Sequence, residues 1–133
     1  MEDDIGPRIL YVEDEPLILE LGVTAFEEAG FAVTALGSGA EAIAAIDDRG
    51  VQFKALVTDI DLGGKISGWQ VAKHARELVP DLPIIYVSGG SSNEWASMGV
   101  PASIMLVKPY AAAQLVVAVS TAMLGSAGSP EAV

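Results

Sequence analysis

Five side chains able to do chemistry stand where short apolar runs stop. Glu13 and Asp14 follow Arg8–Val12 (RILYV), Asp59 follows Phe53–Thr58 (FKALVT), Ser88 follows Leu82–Val87 (LPIIYV), and Lys108 follows Ala102–Val107 (ASIMLV). If the runs are neighbouring strands, three carboxylates, one hydroxyl and one ammonium share a pocket. Carboxylates in contact repel by as much as ~4 kcal/mol per pair at an effective dielectric near 20. Either some take up protons or a cation settles among them. Oxygen-only ligands of this kind suit Mg²⁺, which keeps several waters and accepts a phosphate oxygen. A carboxylate can also attack phosphorus, with the metal, Lys108 and Ser88 holding the phosphoryl oxygens as charge spreads over them. Taken singly, each residue has an ordinary structural explanation. Asp14 and Asp59 suit turns or helix caps, Lys108 a solvated surface, and Ser88 the turn made with Gly89 and Gly90. Their coincidence at strand ends carries the chemical reading. Lys108 also precedes Pro109, and an X-Pro bond after a strand can be cis and so aim the lysine.

The elements that must position these groups alternate along the chain. Pro16–Ala29 has helical spacing, with Pro16 in the first turn and Gly30 at the end. Ile18, Leu21, Gly22, Ala25, Phe26 and Ala29 form its expected buried stripe, leaving Leu17, Leu19 and Val23 outside. Phe31–Leu36 reads as a second strand. Ser38 caps a helix over Ala40–Asp48 that Gly50 stops. Asp61–Ser67 is a glycine-rich loop before a helix over Gly68–Val79. Ser91–Met98 is a short helix, and Ala111–Leu124 the last, with Leu115, Ala118, Val119 and Ala122 as its stripe and Val116, Val117 and Met123 left over. Residues 1–7 read as an extension, 8–124 as one domain and 125–133 as a flexible tail. Five strands, each followed by a helix and rich in Val, Ile and Leu, predict an α/β fold with a parallel sheet covered on both faces. Sites in such sheets form at the carboxyl ends of strands.

Composition narrows the function. The chain has 133 residues, enough for one domain. It has no cysteine, which excludes thiolate metal sites and cysteine nucleophiles. Its net charge of −11 argues against nucleic-acid binding, which needs Lys and Arg to displace counterions. The acidic start, Met1-Glu2-Asp3-Asp4, is no secretory signal, and no run is long enough to span a bilayer. The expectation is a cytoplasmic protein with no membrane partner.

Taken together, Val12-Glu13-Asp14-Glu15-Pro16, Val57-Thr58-Asp59, Gly68, Pro83–Gly89 (PIIYVSG) and Val107-Lys108-Pro109 resemble, in order and spacing, the response-regulator receiver family of two-component systems. The similarity runs from Arg8 to Leu124. It implies a flavodoxin-like (βα)5 doubly wound fold with strand order 2-1-3-4-5. It implies Asp59 as phosphoacceptor and Asp14 as direct Mg²⁺ ligand, with Glu13 holding the metal through water and Asp61 offering its backbone carbonyl. Ser88 would bond a phosphoryl oxygen when the domain switches, and Lys108 would pair with the phosphoryl group. The implied function is that of a single-domain response regulator in a phosphorelay. The donor is a histidine kinase or phosphotransfer protein, and an unidentified downstream protein receives the signal. The chain would catalyse its own phosphorylation and dephosphorylation without being a turnover enzyme. His74, the only histidine, lies away from the strand ends and reads as a solvated helix residue rather than a donor.

Two features depart from the family. Met105 stands three residues before Lys108, where the family commonly has an aromatic switch, leaving Tyr110 or Tyr86 to report activation. The Asp61–Gly68 loop is long and glycine-rich; it resembles that of single-domain alphaproteobacterial receivers and is otherwise a tolerated surface insertion. Surplus apolar residues, among them Leu17, Val117, Trp95 and Met98, mark expected partner surfaces, including a homodimer through the last two helices. Three other readings remain. A phosphorylation-independent adaptor of receiver fold fits the missing aromatic. A haloacid-dehalogenase-like phosphatase fits Asp59-Ile60-Asp61, but places its motifs in the reverse order. A Toprim-like nuclease shares the strand-end Glu and later Asp-x-Asp, but not the charge.

Overall fold

The computed structural model describes residues 6–127. Five parallel strands, β1 (Arg8–Val12), β2 (Ala32–Leu36), β3 (Phe53–Asp59), β4 (Ile84–Ser88) and β5 (Ser103–Val107), form one sheet in the order β2-β1-β3-β4-β5. The helices are α1 (Pro16–Glu28), α2 (Gly39–Arg49), α3 (Gly68–Leu78), α4 (Trp95–Met98) and α5 (Ala112–Ala127). This is the flavodoxin-like α/β arrangement that the alternation of runs predicts.

The order follows from burial. β1, β3 and β4 are almost wholly buried, so each must be covered on both faces. Alternate residues divide between two cores. Leu10, Val12, Leu56, Ile84 and Tyr86 face α2 and α3, whereas Ile9, Tyr11, Val57, Ile85 and Val87 face α1 and α5. Phe26 of α1, fully buried, meets Tyr11 and Phe31 edge-on at ring separations of 5.6 and 5.9 Å. Such pairs add about 0.5–1.5 kcal/mol each beyond burial.

Local signals hold the helices in place. Ser38 Oγ accepts the Glu41 N–H at 3.2 Å as the expected cap of α2. Ser67 and Gln70 form a reciprocal capping box at the start of α3, at 3.3 and 2.9 Å. Gly30 takes φ +98°, the left-handed turn that ends α1.

Three expectations are corrected. The stripe of α1 is rotated: Leu19 and Val23 pack on the core with Gly22 and Phe26, while Leu21 is 64% exposed and Ala29 is also exposed. The helix is apolar nearly all round, so periodicity left its phase undetermined. α5 runs through Ala127, past Leu124, so Gly125 lies inside the helix instead of ending it. The segment over Ser91–Met98 is not one helix but a 3₁₀ turn, Ser92–Glu94, followed by α4. The expected extension over residues 1–5 and the tail over 128–133 lie outside the described residues.

Candidate functional site

β1, β3 and β5 deliver the acidic and basic groups to one edge of the sheet. Glu13 and Asp14 leave the end of β1, Asp59 ends β3, and Lys108 follows β5. One carboxylate oxygen each from Glu13, Asp14 and Asp59 lies within 4.8 Å of the others. Glu13 is 1% exposed and Asp59 4%, whereas Asp14 is open to solvent. The pocket thus has a buried floor and an open rim, and its donors are all oxygen. Such a set can hold a hard divalent cation.

Lys108 Nζ donates to Asp59 Oδ2 at 3.0 Å and stands 3.9 Å from Glu13 Oε1. Asp59 Oδ1 accepts the Asp61 N–H at 3.2 Å, and Glu13 Oε2 accepts the Glu15 N–H at 3.1 Å. The Lys108-Pro109 bond is cis, as X-Pro after a strand allows. Ser88 is fully buried, and its backbone carbonyl accepts the Lys108 N–H at 2.9 Å. Its hydroxyl turns toward its own loop, where it accepts the Ser91 N–H at 2.7 Å. Ser91 Oγ in turn donates to the exposed Asp61 carboxylate at 3.3–3.4 Å. The structure therefore brings Glu13, Asp14, Asp59 and Lys108 together, with Ser88 on the adjoining strand end. The Asp61 side chain faces the loop of Ser91.

A model of the response regulator receiver domain matches residues 9–120. The chain belongs to the response regulator receiver family. A receiver protein from Sinorhizobium medicae WSM419 superposes with a TM-score of 0.87 at 43% identity, covering 92% of this chain and 98% of that one. The transcriptional regulatory protein TcrA of Mycobacterium tuberculosis is 34% identical over 107 residues, 79% of this chain and 41% of TcrA. The response regulator receiver protein CpdR of Brucella abortus is 35% identical over 82 residues, 62% of this chain and 66% of CpdR. The receiver thus spans about two-fifths of the mycobacterial relative it matches.

Electrostatics in the receiver's pocket are uneven. Burial, and then the charge of Asp59, push the Glu13 carboxyl up to about 7, against opposing pulls from the Glu15 N–H and Lys108. Burial disfavours the Lys108 ammonium, but its hydrogen bond to Asp59 and the neighbouring charges outweigh that, so its pKa is raised. The buried carboxyl thus holds its proton more tightly than usual beside an ammonium paired with Asp59.

The surroundings of the site sharpen the sequence reading. Gly63, at φ +77°, passes so close that a Cβ there would lie 3.2 Å from Asp14 Oδ2. Its loop is no loose insertion: Leu62 is 6% exposed, and Ile66 packs against Gly39 at the start of α2. Tyr86 is fully buried, its ring 4.8 Å from that of Trp69 and its hydroxyl accepting the Val100 N–H at 3.0 Å. Met105 packs partly buried beside it. His74 is not simply solvated, since its Nε2 lies 2.7 Å from Asp47 Oδ1 of α2.

Proposed function

We propose that this receiver works as a single-domain response regulator in a phosphorelay, taking a phosphoryl group onto Asp59 with Mg²⁺ in the acidic pocket. The observation that carries this reading is Lys108 Nζ at 3.0 Å from Asp59 Oδ2, inside a triad of carboxylates within 4.8 Å of one another. Oε1 of buried Glu13, which accepts no hydrogen bond, and the all-oxygen donor set fit a hard cation. Glu13, Asp14 and Asp59 would hold it, with the Asp61 carbonyl as a further ligand. When bound, Mg²⁺ would supply positive charge against the phosphoryl oxygens.

The chain's own groups define the rest of the reaction. A carboxylate oxygen of Asp59 attacks phosphorus of a phosphohistidine in line. The O–P bond forms as the N–P bond breaks, and the departing imidazole nitrogen keeps the electron pair and takes a proton. Lys108 stays beside the product and offsets the charge on its oxygens. Ser88 gives up the Ser91 N–H and turns its hydroxyl to a phosphoryl oxygen. Water later cleaves the acyl phosphate, so the domain resets itself and is not a turnover enzyme. Family membership replaces the phosphatase-like and nuclease-like readings.

The donor is a histidine kinase or phosphotransfer protein, and the receiver passes its state to a separate protein. A groove of about 900 Å³ between α1 and α5, lined by Leu17, Leu21, Val116 and Val117 and rimmed by Glu20 and Glu28, supports docking beside the pocket. Trp95 and Met98, 37% and 51% exposed, support a homodimer through α4 and α5. Among the described residues no helix is long and apolar enough to cross a membrane, and a cytoplasmic site of action is part of the proposal. Met105, packed where an aromatic switch would turn, favours a second reading as a phosphorylation-independent adaptor. Radiolabelled transfer from a phosphorylated kinase decides between them: the label appears on the unmodified chain and is absent from Asp59→Asn. Equal labelling of that variant rejects the assignment of Asp59.

A further inference from the structure

The chain leaves the pocket at Ser88, where β4 ends, and re-enters the sheet at Ser103, where β5 begins. The two strands are parallel, so these points lie at opposite ends of the sheet. The segment between them is held differently at each end. At the pocket end Ser91 makes both ties. Its N–H donates to Ser88 Oγ at 2.7 Å, and its Oγ lies between the two Asp61 carboxylate oxygens at 3.3 and 3.4 Å. The Asp61 N–H in turn donates to Asp59 Oδ1 at 3.2 Å. One chain of hydrogen bonds thus runs from the Asp59 carboxylate through Asp61 and Ser91 to the Ser88 hydroxyl. Its Ser91–Asp61 link is long for an O–H···O bond and exposed, and therefore weak. Gly89 and Gly90 precede it, and a Cβ at Gly90 would meet nothing within 4 Å.

The far end is held tightly. Arg76 of α3 donates to the Leu82, Pro101 and Ala102 carbonyls at 2.7, 2.6 and 3.1 Å. Ala102 takes φ +58°, a conformation rare for alanine that persists only where its surroundings hold it. The Tyr86 hydroxyl accepts the Val100 N–H at 3.0 Å. Ser103 Oγ donates to the Val100 carbonyl at 2.7 Å and accepts the Trp95 indole N–H at 2.9 Å. α4 therefore begins at a residue tied to β5. Tyr86, buried against Trp69, is committed to Val100, and its neighbour across the β4–β5 pair is Met105, which has no ring to turn.

We propose that phosphorylation moves only residues 89–94, with Ser91 as the latch that holds the resting state, so that a partner reads the rim of the pocket rather than the face of α4 and β5. This inference rests on the phosphoacceptor reading above. As Ser88 turns its hydroxyl to a phosphoryl oxygen, the Ser91 N–H loses its acceptor. The weak link to Asp61 is then alone and opens, while Arg76 and Tyr86 keep residues 100–102 in place. Opening frees the exposed Asp61 carboxylate and the Ser91 N–H and hydroxyl for the polar groups of a partner surface. A latch that favours the resting state by some factor weakens the apparent affinity for a phosphoryl group by that factor.

Calorimetric titration of the full chain with beryllofluoride in saturating Mg²⁺ tests it. Ser91→Ala should tighten binding by about threefold, the worth of one weak exposed hydrogen bond. Ser91→Thr, which keeps the hydroxyl, should bind as the unmodified chain does. In an Asp61→Ala background Ser91→Ala should add nothing. Tyr86→Phe should leave the affinity unchanged, because the Val100 bond is the same in both states. Amide exchange followed by mass spectrometry should quicken on beryllofluoride binding over residues 89–94 and stay constant over residues 99–103. Ser91→Ala binding no tighter than the unmodified chain, tightening that persists without the Asp61 carboxylate, or a response at Tyr86 or residues 99–103 overturns the inference and leaves the phosphoacceptor reading intact. No beryllofluoride uptake by the unmodified chain overturns both.

Discussion

The metal-free protein should lose stability as pH rises from about 4.5 to about 7. Glu13 is 1% exposed, and its carboxyl is raised from 4.5 to about 7 by burial and then by the charge of Asp59. The folded chain therefore keeps a proton that the unfolded chain releases. Below pH 4.5 both states hold it and the contribution is complete. Above about pH 7 both have lost it and the contribution is gone. At about 1.4 kcal/mol per pH unit, that interval amounts to roughly 3 kcal/mol at most. Urea denaturation in EDTA at several pH values, for the unmodified chain and Glu13→Gln, measures it. Glu13→Gln, neutral at every pH, should keep its stability, so the gap in its favour should widen across the interval and level off above it. With excess Mg²⁺ the ion takes the proton's place, so the added stability should be larger at pH 8 than at pH 6. Parallel curves for the two proteins in EDTA would refute the reasoning, because no proton would then be held at Glu13.

Other expectations follow from single contacts. Gly63→Ala meets a left-handed backbone and a carboxylate at 3.2 Å, whereas Gly64 has open space around it. Gly63→Ala should lose about 1–2 kcal/mol in denaturation and weaken Mg²⁺ binding, while Gly64→Ala should do neither; equal behaviour would remove the loop from the pocket wall. Leu21→Asp and Val117→Asp change exposed positions beside the groove, so both should slow phosphotransfer from a protein donor and leave phosphorylation by phosphoramidate unchanged. Equal slowing with both donors would place the defect in the pocket rather than the groove. Phe26→Ala should cost about 3–5 kcal/mol in urea, since it empties a fully buried ring site between Tyr11 and Phe31.

Much of the fold could be read from the sequence because the strands are buried on both faces. RILYV, FKALVT and LPIIYV have no polar face to confuse with a helix, and each ends where chemistry begins. Boundaries fell within about two residues wherever a cap or glycine marked them, as Ser38 and Gly30 do. The phase of α1 was not legible. PLILELGVTAF offers apolar residues on most sides, and only the need to seat Gly22 over Tyr11 selects Leu19 and Val23 for the core. The carboxylates and the lysine were legible from their types and places. The contacts around them were not. The chain from Ser88 through Ser91 to Asp61 joins two loops and has no spacing to betray it.

The central claim is that Asp59 is the atom-level acceptor in a cation-assisted pocket. The most direct measurement is peptide mapping by mass spectrometry after treatment with phosphoramidate and Mg²⁺, alongside an EDTA control. One hydroxylamine-sensitive phosphoryl group on the peptide containing Asp59, lost with EDTA, is the predicted result. A phosphoryl group on another residue, or none on the folded protein with Mg²⁺ present, would contradict it.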